Sequence, residues 1–371
     1  MMRCLYLFVT LLCLTSCSIY DEVIPKNTIV SKPTKIYTSE DAKINIAILA
    51  PLNKQKEEIG QFLINSAELA LIDSNNSNIT IFPLNSELID SNPNMLLAQL
   101  KQNDIKLIIG PVYTAETKKL KDVIKDQDIT ILSLSNDSTI AKDNIITLGI
   151  SPDSQANILT NYAIGQGIKH FYLLLPATKY GKLIDRAVQN IVSTKDDATH
   201  TTTWYSTENA ELITNQLIDS LKNVDLTDKA IFMPQAGPNI LLLNKALENS
   251  GLKIQLIGSG AWDHPDILKL KAFDGAILLE DSLHNKQFYY SFNKYFKMKP
   301  TKLDVIIYNT TIMISNMNKR NLFIDKQSII YNNKNFDENL PVTFTSNGIS
   351  LYKMSVLEVH NGKFQTMENF Q

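Results

Sequence analysis

Short apolar runs alternate with amphipathic stretches from Lys43 almost to the end of the chain. Residues 44–49 (INIAIL) are apolar but for Asn45 and stop at Pro51, the pattern of a buried strand. Residues 59–72 then place Ile59, Phe62, Leu63, Ala67, Ala70 and Leu71 on one helical face. The same reading predicts strands at 79–82, 107–109, 130–132 and 145–148, with helices over 93–102 and 114–126. Strand-then-helix repetition with short connections implies parallel sheets covered on both faces.

A second series opens at Ser151-Pro152, a helix N-cap followed by proline at the first helical position. That helix reaches Gly165. Strands follow at 171–175, 200–205, 230–233, 255–257 and 275–279, with helices at 182–192, 210–221 and 238–249. Two further helices, 285–296 and 301–316, come next. The end changes character: 342–345, 349–356 and 357–364 read as strands, and Asn347-Gly348 and Asn361-Gly362 are hairpin-turn signals. Some 330 residues are more than one core usually supports, so two lobes are expected. The predicted division is lobe 1 at 43–149, lobe 2 at 150–281 and a return to lobe 1 at 282–330. The strands of 331–371 then fall on lobe 2 or on the hinge.

The first 42 residues follow other rules. An apolar run, 5–14, sits behind Arg3 and is about half of the roughly 20 residues a spanning helix needs. A charged start, a short apolar core and small residues before a cut describe an export signal. Leu14-Thr15-Ser16-Cys17 resembles the cleavage box of bacterial lipoproteins, which implies a signal peptide over 1–16 and lipidation at Cys17. All three cysteines, Cys4, Cys13 and Cys17, lie there, so the mature chain keeps no thiol for a disulfide, a metal or catalysis. By the same resemblance Ser18, where an aspartate commonly retains lipoproteins at the inner membrane, points to the inner leaflet of the outer membrane, with the domain in the periplasm. Residues 18–42 are polar, interrupted by Pro25 and Pro33, and read as a tether reaching roughly 80–90 Å.

Charge narrows the partners only a little. Lys+Arg 36 against Asp+Glu 38 gives −2, and loss of Arg3 with the signal gives −3. With no basic stripe interleaved with aromatics, nucleic acid is not an expected partner. Enzymatic constellations are missing as well: there is no G-x-S-x-G, no phosphate loop and no histidine pair at metalloprotease spacing. Gly258-x-Gly260 has Asp263 where a dinucleotide fingerprint needs a small residue. No catalytic residue, metal or cofactor is expected.

Two doubly wound α/β lobes on one exported chain resemble the type I periplasmic binding proteins. Several motifs narrow the resemblance to the penicillin-binding protein activator family. They are Leu49-Ala50-Pro51-Leu52 with Gly60 and Ala70-Leu71-Ile72-Asp73, Ile108 to Tyr113, the loop Ile131 to Asp137 (ILSLSND), and Gly149-Ile150-Ser151-Pro152 at the crossover. Pro176 with Tyr180-Gly181, Gly258 to Asp263 (GSGAWD), the Tyr308 helix and Ser346-Asn347-Gly348 continue it. Leu134 stands where the family's loop usually has phenylalanine. The resemblance spans nearly all of 44–365. It implies a lipoprotein that stimulates a bifunctional penicillin-binding protein, a peptidoglycan synthase. The alternative is the family's relatives, the amino-acid receptors of ABC importers.

In open parallel sheets, ligands bind beyond the carboxyl ends of the strands. The loops there carry Tyr113, Thr114, Ser133, Ser135, Asn136, Asp137, Tyr180, Gln235, Ser259, Trp262 and Asp263. Thr114 can cap the helix it starts, leaving N–H groups for a carboxylate. By the resemblance, Ser135, Tyr113 or Thr114, Tyr180 and Tyr308 match lining positions of an amino-acid cleft. Two departures stand out. The acid expected early in the Gly258 loop is Ser259, with Asp263 four residues later. Asp137 would repel a ligand carboxylate by about 4 kcal/mol at 4 Å near a surface. That leaves a cell-wall peptide, another small molecule or no ligand. Trp262 either anchors a partner or fills the space behind the Gly258 loop.

Overall fold

The computed structural model describes residues 43–53, 55–283, 285–333 and 342–370. The expected signal peptide, Cys17 and the tether lie outside the described residues. The chain opens with β1 (Ile44–Ala50), α1 (Glu57–Ser74), β2 (Ile79–Asn85), the short α2 (Leu88–Ser91) and α3 (Pro93–Gln102). Then come β3 (Leu107–Ile109), α4 (Thr114–Val123), β4 (Thr130–Ser133) and β5 (Ile145–Thr147). A second series holds α5 (Pro152–Gly165), β6 (His170–Pro176), α6 (Lys179–Val192), β7 (Thr199–Tyr205) and α7 (Ala210–Ser220). It continues with β8 (Lys229–Phe232), α8 (Pro238–Ser250), β9 (Gln255–Ile257) and β10 (Ile277–Asp281). The last part comprises α9 (Lys286–Phe296), α10 (Lys302–Lys319), α11 (Lys326–Asn333), β11 (Val342–Phe344), β12 (Ser350–Tyr352), β13 (Met354–His360) and β14 (Lys363–Phe370).

The fold class is as the pattern predicts: α/β, with two doubly wound, Rossmann-like lobes. The first sheet is parallel in the order β2-β1-β3-β4-β5. The second runs β14-β13-β10-β9-β8-β6-β7. Its five parallel strands repeat the first order, with β7-β6-β8-β9-β10 standing in for 2-1-3-4-5. In each lobe the winding reverses once, beside the first strand, and opens a crevice at the carboxyl ends. The apolar runs that predicted the strands are buried from both sides. Ile46, Leu107, Ile109 and Leu132 belong to one cluster, and Ala47, Leu49, Ile108 and Ile131 to another.

The first lobe is discontinuous, because α10 returns to pack along α1. The Tyr308 hydroxyl donates to Asp73 Oδ2 at 2.7 Å, and Asn76 Nδ2 donates to Ser315 Oγ and Asn318 Oδ1 at 3.0 and 3.1 Å. Phe288 from α9 packs tilted against Tyr308, and Phe292 meets Phe62 edge to face.

The chain crosses between lobes at 148–151, after Asp281 and at 352–354, and these stretches hold one another. Ser350 Oγ and the Tyr352 hydroxyl donate to the carbonyls of Gly149 and Leu148 at 3.1 and 2.5 Å. Ser282 donates through N and Oγ to the Lys353 carbonyl at 3.1 and 2.9 Å.

Some expectations need correcting. β2 continues through Pro83, which an edge strand tolerates because the missing N–H faces away from the ladder. α2 and α11 are too short to show a helical period. The division of the last strands at 356/357 falls inside β13, where Val356 and Leu357 are both apolar because they face opposite cores, while the bulge there leaves Met367 of β14 unpaired. The single strand expected over 349–356 is two, β12 and the start of β13, parted at Lys353. Asn361-Gly362, at φ 52° and 70°, closes the β13–β14 hairpin beneath the His360–Lys363 pair.

Candidate ligand cleft

The carboxyl ends of both sheets face one inter-lobe cleft, which holds a cavity of about 1130 Å³. Val112, Leu134 and Ile150 line it from the first lobe and the crossover. Ile240, Leu241 and Ile267 face them from the second lobe, and Leu303 and Ile306 of α10 form the floor. The charged groups that reach it are partnered. Lys302 Nζ donates to Asp281 Oδ2 at 2.7 Å, and Lys269 Nζ to Asp266 Oδ1 at 2.6 Å. Gln155 Oε1 accepts from the Gly260 N–H at 2.8 Å, tying α5 to the loop after β9.

Of the residues singled out in the sequence, Asn136 and Asp263 line this cavity. Another group gathers at the inter-lobe contact beside it. Tyr113 occupies the N-cap position of α4, correcting the expectation that Thr114 caps it. The Thr114 and Ser135 hydroxyls are 2.7 Å apart, and Ser133 Oγ lies 2.7 Å from Thr117 Oγ1. The hydroxyls expected to hold a carboxylate therefore bond one another. Asp137 is buried, and its carboxylate accepts from Thr139 Oγ1 at 2.6 Å and from the Lys179 ammonium at the start of α6. Burial pushes this carboxyl up, but Lys179 and Thr139 outweigh it and hold it below the ordinary carboxylate value. Ser138 Oγ adds a second link between lobes, to Asp153 Oδ2 of α5 at 2.9 Å.

The remaining candidates build the second lobe's wall or lie away from the cleft. Ser259 Oγ donates to the Pro234 carbonyl at 2.5 Å and caps a 3₁₀ turn at Gly260–Trp262. Gln235 Oε1 accepts from the Tyr205 hydroxyl at 2.6 Å, and burial pushes that phenol up to about 12. Tyr180 is pushed up by burial too, against a hydrogen bond with Ser259. Trp262 is 0% exposed: its ring packs on Phe273 at 4.9 Å and its Nε1–H donates to the Gln235 carbonyl at 2.9 Å. It fills the space behind the loop and is neither cleft wall nor surface anchor. A Cβ on Gly258 would sit 1.9 Å from that ring, so the glycine is required for the indole to enter. Tyr308 is also misplaced by the sequence reading. Its partner Asp73 lies at the C-terminal end of α1, which is the amino-end side of the sheet and opposite the cleft.

Sequence reasoning missed Lys179, Gln155 and the Asp281–Lys302 pair. One signal was available, since an acid inside a closed loop needs a cation nearby. Among the described residues no cluster of His, Cys, Asp and Glu is arranged to hold a metal, and no helix is long and apolar enough to cross a membrane.

A family model described as a periplasmic binding protein matches residues 95–319. An uncharacterized protein of Rickettsia prowazekii (strain Madrid E) is 28% identical over 267 residues, 69% of this chain and 68% of its own. A structure described as a putative branched-chain amino acid ABC transporter from Rhodospirillum rubrum superposes at a TM-score of 0.73 and 14% identity, covering 88% of this chain and 100% of that one. Full-length LpoA from Haemophilus influenzae superposes at 0.65 and 13% identity over 90% of this chain, which spans 59% of that one. At such identities the likeness is one of fold.

Proposed function

This chain belongs to the periplasmic binding protein family, and on that premise we propose that it is a non-catalytic, exported lipoprotein that binds and regulates a peptidoglycan synthase. The synthase class comes from the sequence motifs. The observation that carries the reading is that the cleft's charges are spent on one another. Asp137 is matched by Lys179 and Asp281 by Lys302, while Thr114 and Ser135 share a hydrogen bond. A free amino acid brings a carboxylate and an ammonium, and each would have to displace an internal partner. Such a cleft favours a role in which the two lobes present surfaces to another protein and their relative closure sets the response.

The test uses the full chain with a bifunctional penicillin-binding protein. The expected result is co-purification and faster glycan polymerisation by the synthase; neither binding nor a rate change would remove the reading.

One observation favours a second reading, a solute receptor of an ABC importer. The cavity of about 1130 Å³ is large enough for a solute, and its walls are apolar. Calorimetry with amino acids and with apolar carboxylic acids separates the two. Heat that disappears in Ile306→Trp, which fills the floor, favours the receptor.

A further inference from the structure

The two large sheets end in four edge strands, and three are protected. β2 carries Pro83. β5 is covered by the β11–β12 hairpin, with the Thr147 N–H donating to the Gly348 carbonyl and Thr147 bridged to Ile349. β14 carries Lys363 and Glu368 and pairs across a bulge. These are the devices by which natural sheets avoid pairing at their edges. β7 has none of them. Its sequence is Thr199-His200-Thr201-Thr202-Thr203-Trp204-Tyr205, without proline, lysine or carboxylate, and its register with β6 is unbroken over all seven residues.

The side chains of β7 are already engaged on both faces. His170 Nδ1 and Nε2 lie 2.7 and 3.1 Å from the Thr199 and Thr201 hydroxyls. On the other face Thr202 Oγ1 donates to Asp185 of α6, and Trp204 packs over Gly181. The Thr199 N–H donates to the Lys169 carbonyl on the β6 side, so the alternating backbone turns His200, Thr202 and Trp204 outward. Those N–H and C=O groups have no protein partner among the described residues.

We propose that β7 is a self-association edge, pairing antiparallel with β7 of a second copy about a two-fold axis through Thr202. That register sets Thr202 against Thr202 and His200 against Trp204 twice, and it exchanges about six backbone hydrogen bonds. A second copy is favoured over a foreign strand for two reasons on the strand itself. It reads compatibly with its own reversal, and it carries no lysine, arginine or carboxylate of its own to repel its twin. The result is one sheet continuous across both second lobes, leaving both clefts open. Because the interface is narrow, the dimer is weak and depends on concentration.

The experiment is sedimentation velocity on the full chain from about 1 µM to about 500 µM, with two variants. Thr202→Pro removes an outward N–H that an edge strand does not use for its own ladder. Thr202→Val loses the same hydroxyl but keeps that N–H. Dimerisation in the parent and in Thr202→Val, weakened at least about tenfold in Thr202→Pro, is the expected result. A chain that stays monomeric throughout, or a dimer indifferent to Thr202→Pro, overturns the proposal. Should Thr202→Pro lose its circular dichroism, amide exchange on the parent decides. His200, Thr202 and Trp204 must exchange more slowly at high loading, and equal rates at both loadings overturn it.

Discussion

Lys179, in the first turn of the second lobe's α6, donates to the Asp137 carboxylate of the first lobe. The carboxylate is buried and the ammonium largely exposed. The bond therefore costs little to hold from one side and much to abandon from the other. Lys179→Met is expected to favour an open arrangement and to lower stability by about 1 kcal/mol, discounted for the exposed lysine. Small-angle scattering checks it through a larger radius of gyration than the parent's. An unchanged radius would show that the latch does not govern closure.

The same pair sets a pH dependence. The folded Asp137 carboxyl lies below its ordinary value, burial being outweighed by Lys179 and Thr139. Its contribution is present above the unfolded carboxylate range and is lost as pH falls through the lowered folded value. The radius should stay constant from about pH 8 to about pH 5 and grow only below about pH 4. In Lys179→Met that acid transition should move to higher pH, since the group holding the carboxyl down has gone.

Gly258 and Trp262 form a second testable pair. Gly258→Ala drives a methyl into the indole and should destabilise by about 1–3 kcal/mol. Trp262→Ala should cost about 3–5 kcal/mol. The double variant should be markedly less unstable than the sum, because the added methyl then meets a cavity. Urea unfolding of the three variants measures the coupling, and strict additivity would contradict the packing described.

At the hinge, Tyr352→Phe deletes the donor to the Leu148 carbonyl in a fully buried setting. A loss of about 1–2 kcal/mol is expected, read as a lower thermal midpoint. Lobe closure itself should also loosen, visible as faster amide exchange in the 148–151 crossing.

Most of the architecture was legible because it rests on period. The short apolar runs at 46–49 and 107–109 are strands buried on both faces, as read, and the Ser151-Pro152 helix start is found as read, with Ser151 Oγ accepting from the Ser154 N–H. What failed depends on distance rather than pattern. Trp262 left two readings open, partner anchor or filler behind the loop, and the glycine four residues earlier, which makes room for the ring, decides for the second. Tyr308 sits on the expected helix but on a face turned to Asp73 and Phe288, away from that of Leu303 and Ile306, which line the cleft. Lys179 carries no local mark of its role, since its partner is 42 positions away in sequence.

The first lobe's split also bears on how the protein is made. α1 rests on α10 through Tyr308–Asp73 and through Asn76 with Ser315 and Asn318, partners more than 230 positions apart. A growing polypeptide cannot cover the face of α1 that meets α10 until Lys302–Lys319 has been synthesised. Ribosome-bound fragments ending before α10 therefore remain substrates for chaperones, and closure of this lobe is a late, slow event in the life of the nascent molecule.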